Sequence, residues 1–154
     1  MKKMHYSIVI NAPREKVYET MLADATYREW TGVFSPGSHY EGDWSEGSNM
    51  RFTGPDPEKP EMDNLSGMIS RVAKNVPNEF LSLESIGQIV DGKDDMESER
   101  VKDWIGALEE YTFTDVDGGT EVRVDQDTPE EFVEPFSVMW PKGLEKLKEI
   151  AERA

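Results

Sequence analysis

Apolar and polar positions change rhythm along the chain, and each rhythm predicts an element. His5 to Ile10 reads as a first strand. Asn11-Ala12-Pro13 then marks a helix start, because proline suits the first helical position, where its missing N–H would be unpaired anyway. Val17, Tyr18, Met21 and Leu22 follow at helical spacing, and Glu15 suits the positive end of the helix dipole. Asp24 is placed to cap a second short helix carrying Tyr27 and Trp30, which stops near Gly32. The period then becomes two. Ser38, Tyr40, Gly42 and Trp44 share one strand face. Met50 and Phe52 share a face of the next strand, with Asn49, Arg51 and Thr53 opposite and Ser45-Glu46-Gly47 as the turn between the two strands. Gly54 to Asn64 holds Pro55, Pro57 and Pro60, which cannot donate to a ladder, so it reads as a loop.

Two further strands are predicted at Leu65 to Asn75 and Glu79 to Val90, turned by Val76-Pro77-Asn78. An acidic stretch, Asp91 to Asp103, separates them from the clearest hairpin in the chain. There Glu109, Tyr111 and Phe113 alternate with Glu110, Thr112 and Thr114, Asp117-Gly118-Gly119 turns, and Val122 and Val124 alternate with Glu121, Arg123 and Asp125. The C-terminus, roughly Pro135 to Arg153, carries Phe136, Met139, Trp140, Leu144, Leu147, Ile150 and Ala151 as one helical stripe. Pro141 predicts a kink or break near Trp140, and Gly143 is a second weak point. The order is strand, two short helices, about six strands, long helix. It predicts an α+β domain over residues 1–154 in which an antiparallel sheet buries the stripe of the helix.

Charge and composition narrow the function classes. Lys and Arg number 17 and Asp and Glu 32, for a formal net charge of −15, which argues against binding nucleic acid phosphates or an anionic membrane surface. No cysteine is present, which excludes disulfides, thiolate metal sites and a Cys nucleophile. The apolar run Ile8 to Ile10 is too short for a signal peptide, and no stretch reaches the roughly 20 apolar residues of a spanning helix, so a cytoplasmic location and no membrane insertion are expected.

Alternation points Met50, Phe52, Leu81, Leu83, Tyr111 and Phe113 at the long helix, which meets them with Phe136, Met139 and Trp140. These nine positions, with Val122 and Val124, form either plain core or the wall of an adaptable apolar pocket. Glu109 shares the inward face with Tyr111. It is either a wet rim residue, or a polar anchor for a ligand or a general acid with a raised pKa. Arg51, Arg71 and Arg123 are its possible partners, although alternation turns Arg51 and Arg123 outward. His5 and His39 come without a nucleophile motif, and two histidines leave too few ligands for zinc. The spacing of the acidic residues in Asp91 to Asp103 fails the calcium-loop pattern, and glycine-rich phosphate loops are absent. No catalytic residue, metal or cofactor is assigned.

Several motifs together resemble the START-like, or SRPBCC, superfamily. They are Ile10-Asn11-Ala12-Pro13 with Val17-Tyr18, Trp30, the run Tyr40 to Ser48, Trp104 with Gly106 to Tyr111, Gly118-Gly119-Thr120, and Leu144 to Lys148. The branch most similar is that of the C-terminal domain of the activator of the heat-shock-protein 90 ATPase. The resemblance implies a helix-grip fold, in which a curved sheet wraps the C-terminal helix around an internal cavity that relatives use for lipids, sterols, polyketides or plant hormones. The expected function is therefore binding of an apolar or amphipathic small molecule, oriented by Glu109 and Tyr111. The loops Gly32 to Ser38, Gly54 to Asn64 and Asp91 to Asp103 would serve as gates. Two rival readings are a co-chaperone-like module meeting a basic partner through its acidic surface, and a cyclase- or hydrolase-type enzyme using Glu109, Tyr111 or His39.

Overall fold

The C-terminal hairpin shows how local sequence builds the sheet. Strands β7 (Leu108–Val116) and β8 (Gly119–Thr128) join through Asp117-Gly118, where Gly118 supplies the left-handed position at φ 83°. Val116 pairs with Gly119, so the turn is two residues long rather than the three predicted. That register sets Glu109 opposite Gln126, Tyr111 opposite Val124 and Phe113 opposite Val122. The structure, a computed structural model, describes residues 1–55 and 65–153.

The remaining strands are β1 (Lys2–Ile10), β2 (His39–Glu41), β3 (Asn49–Pro55), β4 (Leu65–Val76), β5 (Phe80–Val90) and β6 (Lys93–Asp95). They make one antiparallel sheet in the order β1-β8-β7-β5-β4-β3-β2, with β6 paired to β5 beside that path. Eight strands among the described residues replace the six or so expected. β6 lies in the acidic stretch read as loop, where Asp91 and Gly92 at positive φ turn the chain back on β5. Three residues are too few to show a period. β2 is shorter than the alternation from Ser38 to Trp44 suggests, because Gly42 (φ 133°) and Trp44 (φ 64°) leave the extended region. At Gly42 a Cβ would stand 2.4 Å from the Met50 sulfur, so this corner admits only glycine. Register shifts at Ile69/Ser70 and Val72/Lys74 add bulges between β4 and β5, which bend a sheet.

Helices α1 (Arg14–Leu22) and α2 (Asp24–Thr31) follow β1, with Pro13 and Ala23 as N-caps. Asp24 is thus the first residue of α2 rather than its cap, and it pairs with Arg28 one turn on. A short α3 (Glu99–Lys102) precedes β7. The long helix α4 (Glu130–Ala151) starts earlier than predicted, with Glu130 and Glu131 in its first turn facing the dipole's positive end. It runs unbroken through Pro135 and Pro141. Both prolines are exposed, as are Glu131 and Ser137 one turn earlier, so the carbonyls they leave unpaired face solvent. The opposite face buries Trp140, Leu144, Leu147, Ile150 and Ala151 against Leu81, Val122 and Val124 of the sheet. This is the α+β architecture expected from the order of elements, in the helix-grip form that the resemblance implies.

Candidate ligand-binding cavity

Between the sheet, α2 and the N-terminal half of α4 the apolar faces do not close completely. A cavity of about 540 Å³ remains, within the range of small-molecule sites. Aromatic side chains from distant parts of the chain form its walls. All four tryptophans of the chain, Trp30, Trp44, Trp104 and Trp140, line it. Their rings are braced by neighbours: Phe34 meets Trp140 edge-on at 5.0 Å, and Trp104 lies 5.3 Å from Phe132. Leu81 and Leu83 supply sheet wall from β5.

One end is polar. The Tyr111 hydroxyl donates to Glu109 Oε2 at 2.5 Å, and Gln126 Nε2 donates to Glu109 Oε1 at 3.1 Å. The indole N–H of Trp140 donates to Gln126 Oε1 at 2.6 Å. An indole nitrogen can only donate, so it fixes the Gln126 amide with the oxygen toward α4 and the NH₂ toward Glu109. Burial raises the Glu109 pKa above its ordinary 4.5, opposed by the hydrogen bond from Tyr111. Burial and the neighbouring Glu109 push the Tyr111 hydroxyl up well above the usual phenol value. Burial also raises Tyr27, on the same wall.

Among the described residues no cation pairs with Glu109. Arg51 pairs with Asp94 at 2.5 Å, Arg71 with Glu84 at 3.2 Å and Arg123 with Asp125 at 3.0 Å. The second carboxylate of the wall, Asp127, is matched by Lys3 at 3.1 Å and accepts the Leu108 N–H at 3.0 Å. On the same walls Trp44 Nε1, Thr53 Oγ1 and Ser85 Oγ are buried without a hydrogen-bond partner among the described residues.

Of the positions singled out in the sequence, Phe52, Leu81, Leu83, Glu109, Tyr111, Phe136 and Trp140 meet on this cavity. Met50, Phe113 and Met139 do not. Met50 is fully buried and accepts the Trp44 N–H at its sulfur, Phe113 packs edge-on against Tyr18 at 5.6 Å, and Met139 sits half-buried on the flank of α4. Gln126 and Phe132 carry no signal of a wall position in the sequence, and Trp104 enters there only as part of a family motif. Counting pairs back from a two-residue turn at Asp117-Gly118 finds Gln126. Phe132 falls before the predicted helix start, and Trp104 follows the acidic stretch. The loop Gly32 to Ser38 gives Phe34, Ser35 and Ser38 to the wall, whereas among the described side chains of Asp91 to Asp103 none lines it. Residues 56–64 of the third predicted gate lie outside the described residues. His5 sits on the outer face with Asp125 at 2.5 Å, and His39 meets the Gly37 carbonyl at 3.1 Å. Among the described residues no three His, Asp or Glu side chains gather as metal ligands do, and no helix is long and apolar enough to cross a membrane.

Solved structures share this architecture across the whole chain. A protein from Mesorhizobium loti is 16% identical with a TM-score of 0.71, covering 99% of this chain and 98% of its own. The Aha1 protein of Colwellia psychrerythraea, solved in solution as a dimer, is 18% identical with a TM-score of 0.70, covering 99% and 97%. An AHSA1-like protein from Aeromonas hydrophila is 15% identical with a TM-score of 0.71, covering 98% and 92%. At such identities these likenesses establish the fold. No curated protein sequence matches the chain. Residues 11–152 match the family described as Activator of Hsp90 ATPase homolog 1-like protein, and the chain therefore belongs to that family.

Proposed function

We propose that this chain, acting as one START-like domain, binds an apolar or amphipathic small molecule in the cavity between the sheet and α4. The observation that carries the reading is a cavity of about 540 Å³ with all four tryptophans on its wall. A core shaped only for stability closes such space, because unfilled volume forfeits dispersion contacts and costs roughly 24 cal/mol per Å³. Burial of a ligand's apolar surface contributes about 25 cal/mol per Å², less the cost of ordering it. Glu109, Tyr111 and Gln126 are the groups that orient it, with Phe52, Leu81, Leu83, Phe136 and Trp140 as walls.

An amide NMR titration against fatty acids, sterols, flavonoids and aromatic polyketides tests this. Saturable shifts are expected at Phe52, Leu83, Tyr111 and Trp140. A well-dispersed spectrum with no saturable shift for this panel or for apolar amines rejects it. The net charge of −15 favours a second reading, contact with a basic partner surface, since opposite charge speeds association. That reading expects shifts on exposed acidic positions instead, elicited by a basic protein and abolished by salt.

A further inference from the structure

We infer that the cavity takes a cationic guest: an organic amine whose ammonium group sits at Glu109 and whose flat apolar body lies along the tryptophan walls. This rests on the ligand-binding reading above and specifies its chemical class.

Three independent features of the cavity lead there. The first is charge. Its described wall holds two carboxylates, Glu109 and Asp127, and no Lys, Arg or His. Lys3 matches Asp127, whereas among the described residues the partners of Glu109, Tyr111 and Gln126, are neutral. The second is the direction of the hydrogen bonds. Trp140 claims the Gln126 oxygen, so Gln126 presents its NH₂ to Glu109, and Tyr111 aims its hydroxyl at the other carboxylate oxygen. Both contacts orient the carboxyl as an acceptor, and neither neutralises a negative charge. The third is the wall. Aromatic faces carry negative quadrupole potential and attract cations, most strongly when the pair is screened from water.

Burial penalises the Glu109 charge while the cavity is without a countercharge. An ammonium placed there removes that penalty, and gains Coulomb attraction in a site where it is weakly screened. A carboxylate guest meets the opposite situation. It would face two carboxylates with no cation on the described wall, so fatty acids and other anionic amphiphiles are disfavoured.

Three probes of one shape separate the possibilities: naphthylethylamine, naphthylethanol and naphthylacetate, titrated calorimetrically into the full chain near neutral pH. The amine is expected to bind on the order of tenfold tighter than the alcohol, with naphthylacetate weakest. In Glu109→Gln the ratio of amine to alcohol affinity is expected to fall to about one, because the countercharge is gone. Equal binding of amine and alcohol by the unmodified chain, or tightest binding of the carboxylate, overturns the amine assignment and leaves the ligand-binding reading standing. Retention of the amine preference in a folded Glu109→Gln also overturns it. If neither these probes nor the NMR panel bind, the ligand-binding reading fails and this inference fails with it. The series on the unmodified chain decides even if the variant does not fold.

Discussion

Glu109 illustrates how much one residue's chemistry depends on what stands opposite it. Alternation alone places it on the inward face with Tyr111, because strand side chains repeat every second residue. Its partner Gln126 is set by a turn one residue shorter than the sequence suggests, and its orientation by Trp140 on another element. The raised pKa of Glu109 has a definite consequence for stability. The folded chain holds that proton more tightly than the unfolded chain, so this residue's contribution is present at low pH. It is lost as pH rises from near the ordinary 4.5 through the folded-state value. Glu109→Gln removes the loss. Its stability relative to the parent is expected to improve as pH rises above the ordinary 4.5 and to level off above the folded-state value in urea unfolding, more than for Glu145→Gln at an exposed site. A gap that does not change with pH contradicts the burial argument.

Helix α4 shows the same dependence over a whole element. Its apolar stripe is legible from spacing, but its start and its continuity are not. Pro135 and Pro141 argue for interruption only when their surroundings are unknown; on the exposed face the unpaired carbonyls reach water. Gly143 looks like a weakness in the sequence and is a seat for Phe34, since a Cβ there would lie 2.5 Å from the ring's Cε2. Gly143→Ala therefore opposes a helical gain of about 1 kcal/mol to an overpacking cost of about 1–3 kcal/mol. A net loss of roughly 1 kcal/mol is expected in urea unfolding, together with weaker naphthylethanol binding as Phe34 is displaced on the cavity wall. A more stable variant would show that the ring yields freely. The short strand β6 is the reverse case, an element made by pairing with β5 rather than by any pattern of its own.

Across the whole molecule the dominant electrostatic fact is the excess of acid. Exposed ion pairs contribute little individually, for example Arg28 with Asp24 and Arg153 with Glu29. Self-repulsion at a net charge of −15 disfavours the compact state. Raising ionic strength from roughly 0.01 M to 0.15 M shortens the screening length from about 30 Å to about 8 Å. The thermal midpoint is expected to rise with added sodium chloride in this range, because screened repulsion outweighs weakened surface pairs. A falling midpoint would mean that the surface pairs carry more of the stability than their exposure implies.

Element order, the inward face of each long strand, the helical stripe and the family are properties of the sequence, because they follow from periods of two and of three to four and from short motifs in fixed order. The cavity is not of that kind. Trp30, Trp44, Trp104 and Trp140 stand far apart in the chain, and only the wrapping of the sheet around α4 brings them to one surface. The same holds for the choice between core and wall: Met50 and Phe52 share one strand face, yet Met50 is closed over by the Gly42 corner and Phe52 opens on the cavity. Periodicity reports which way a side chain points. Whether another atom fills the space in front of it depends on contacts between residues distant in sequence, and those exist only in the folded chain.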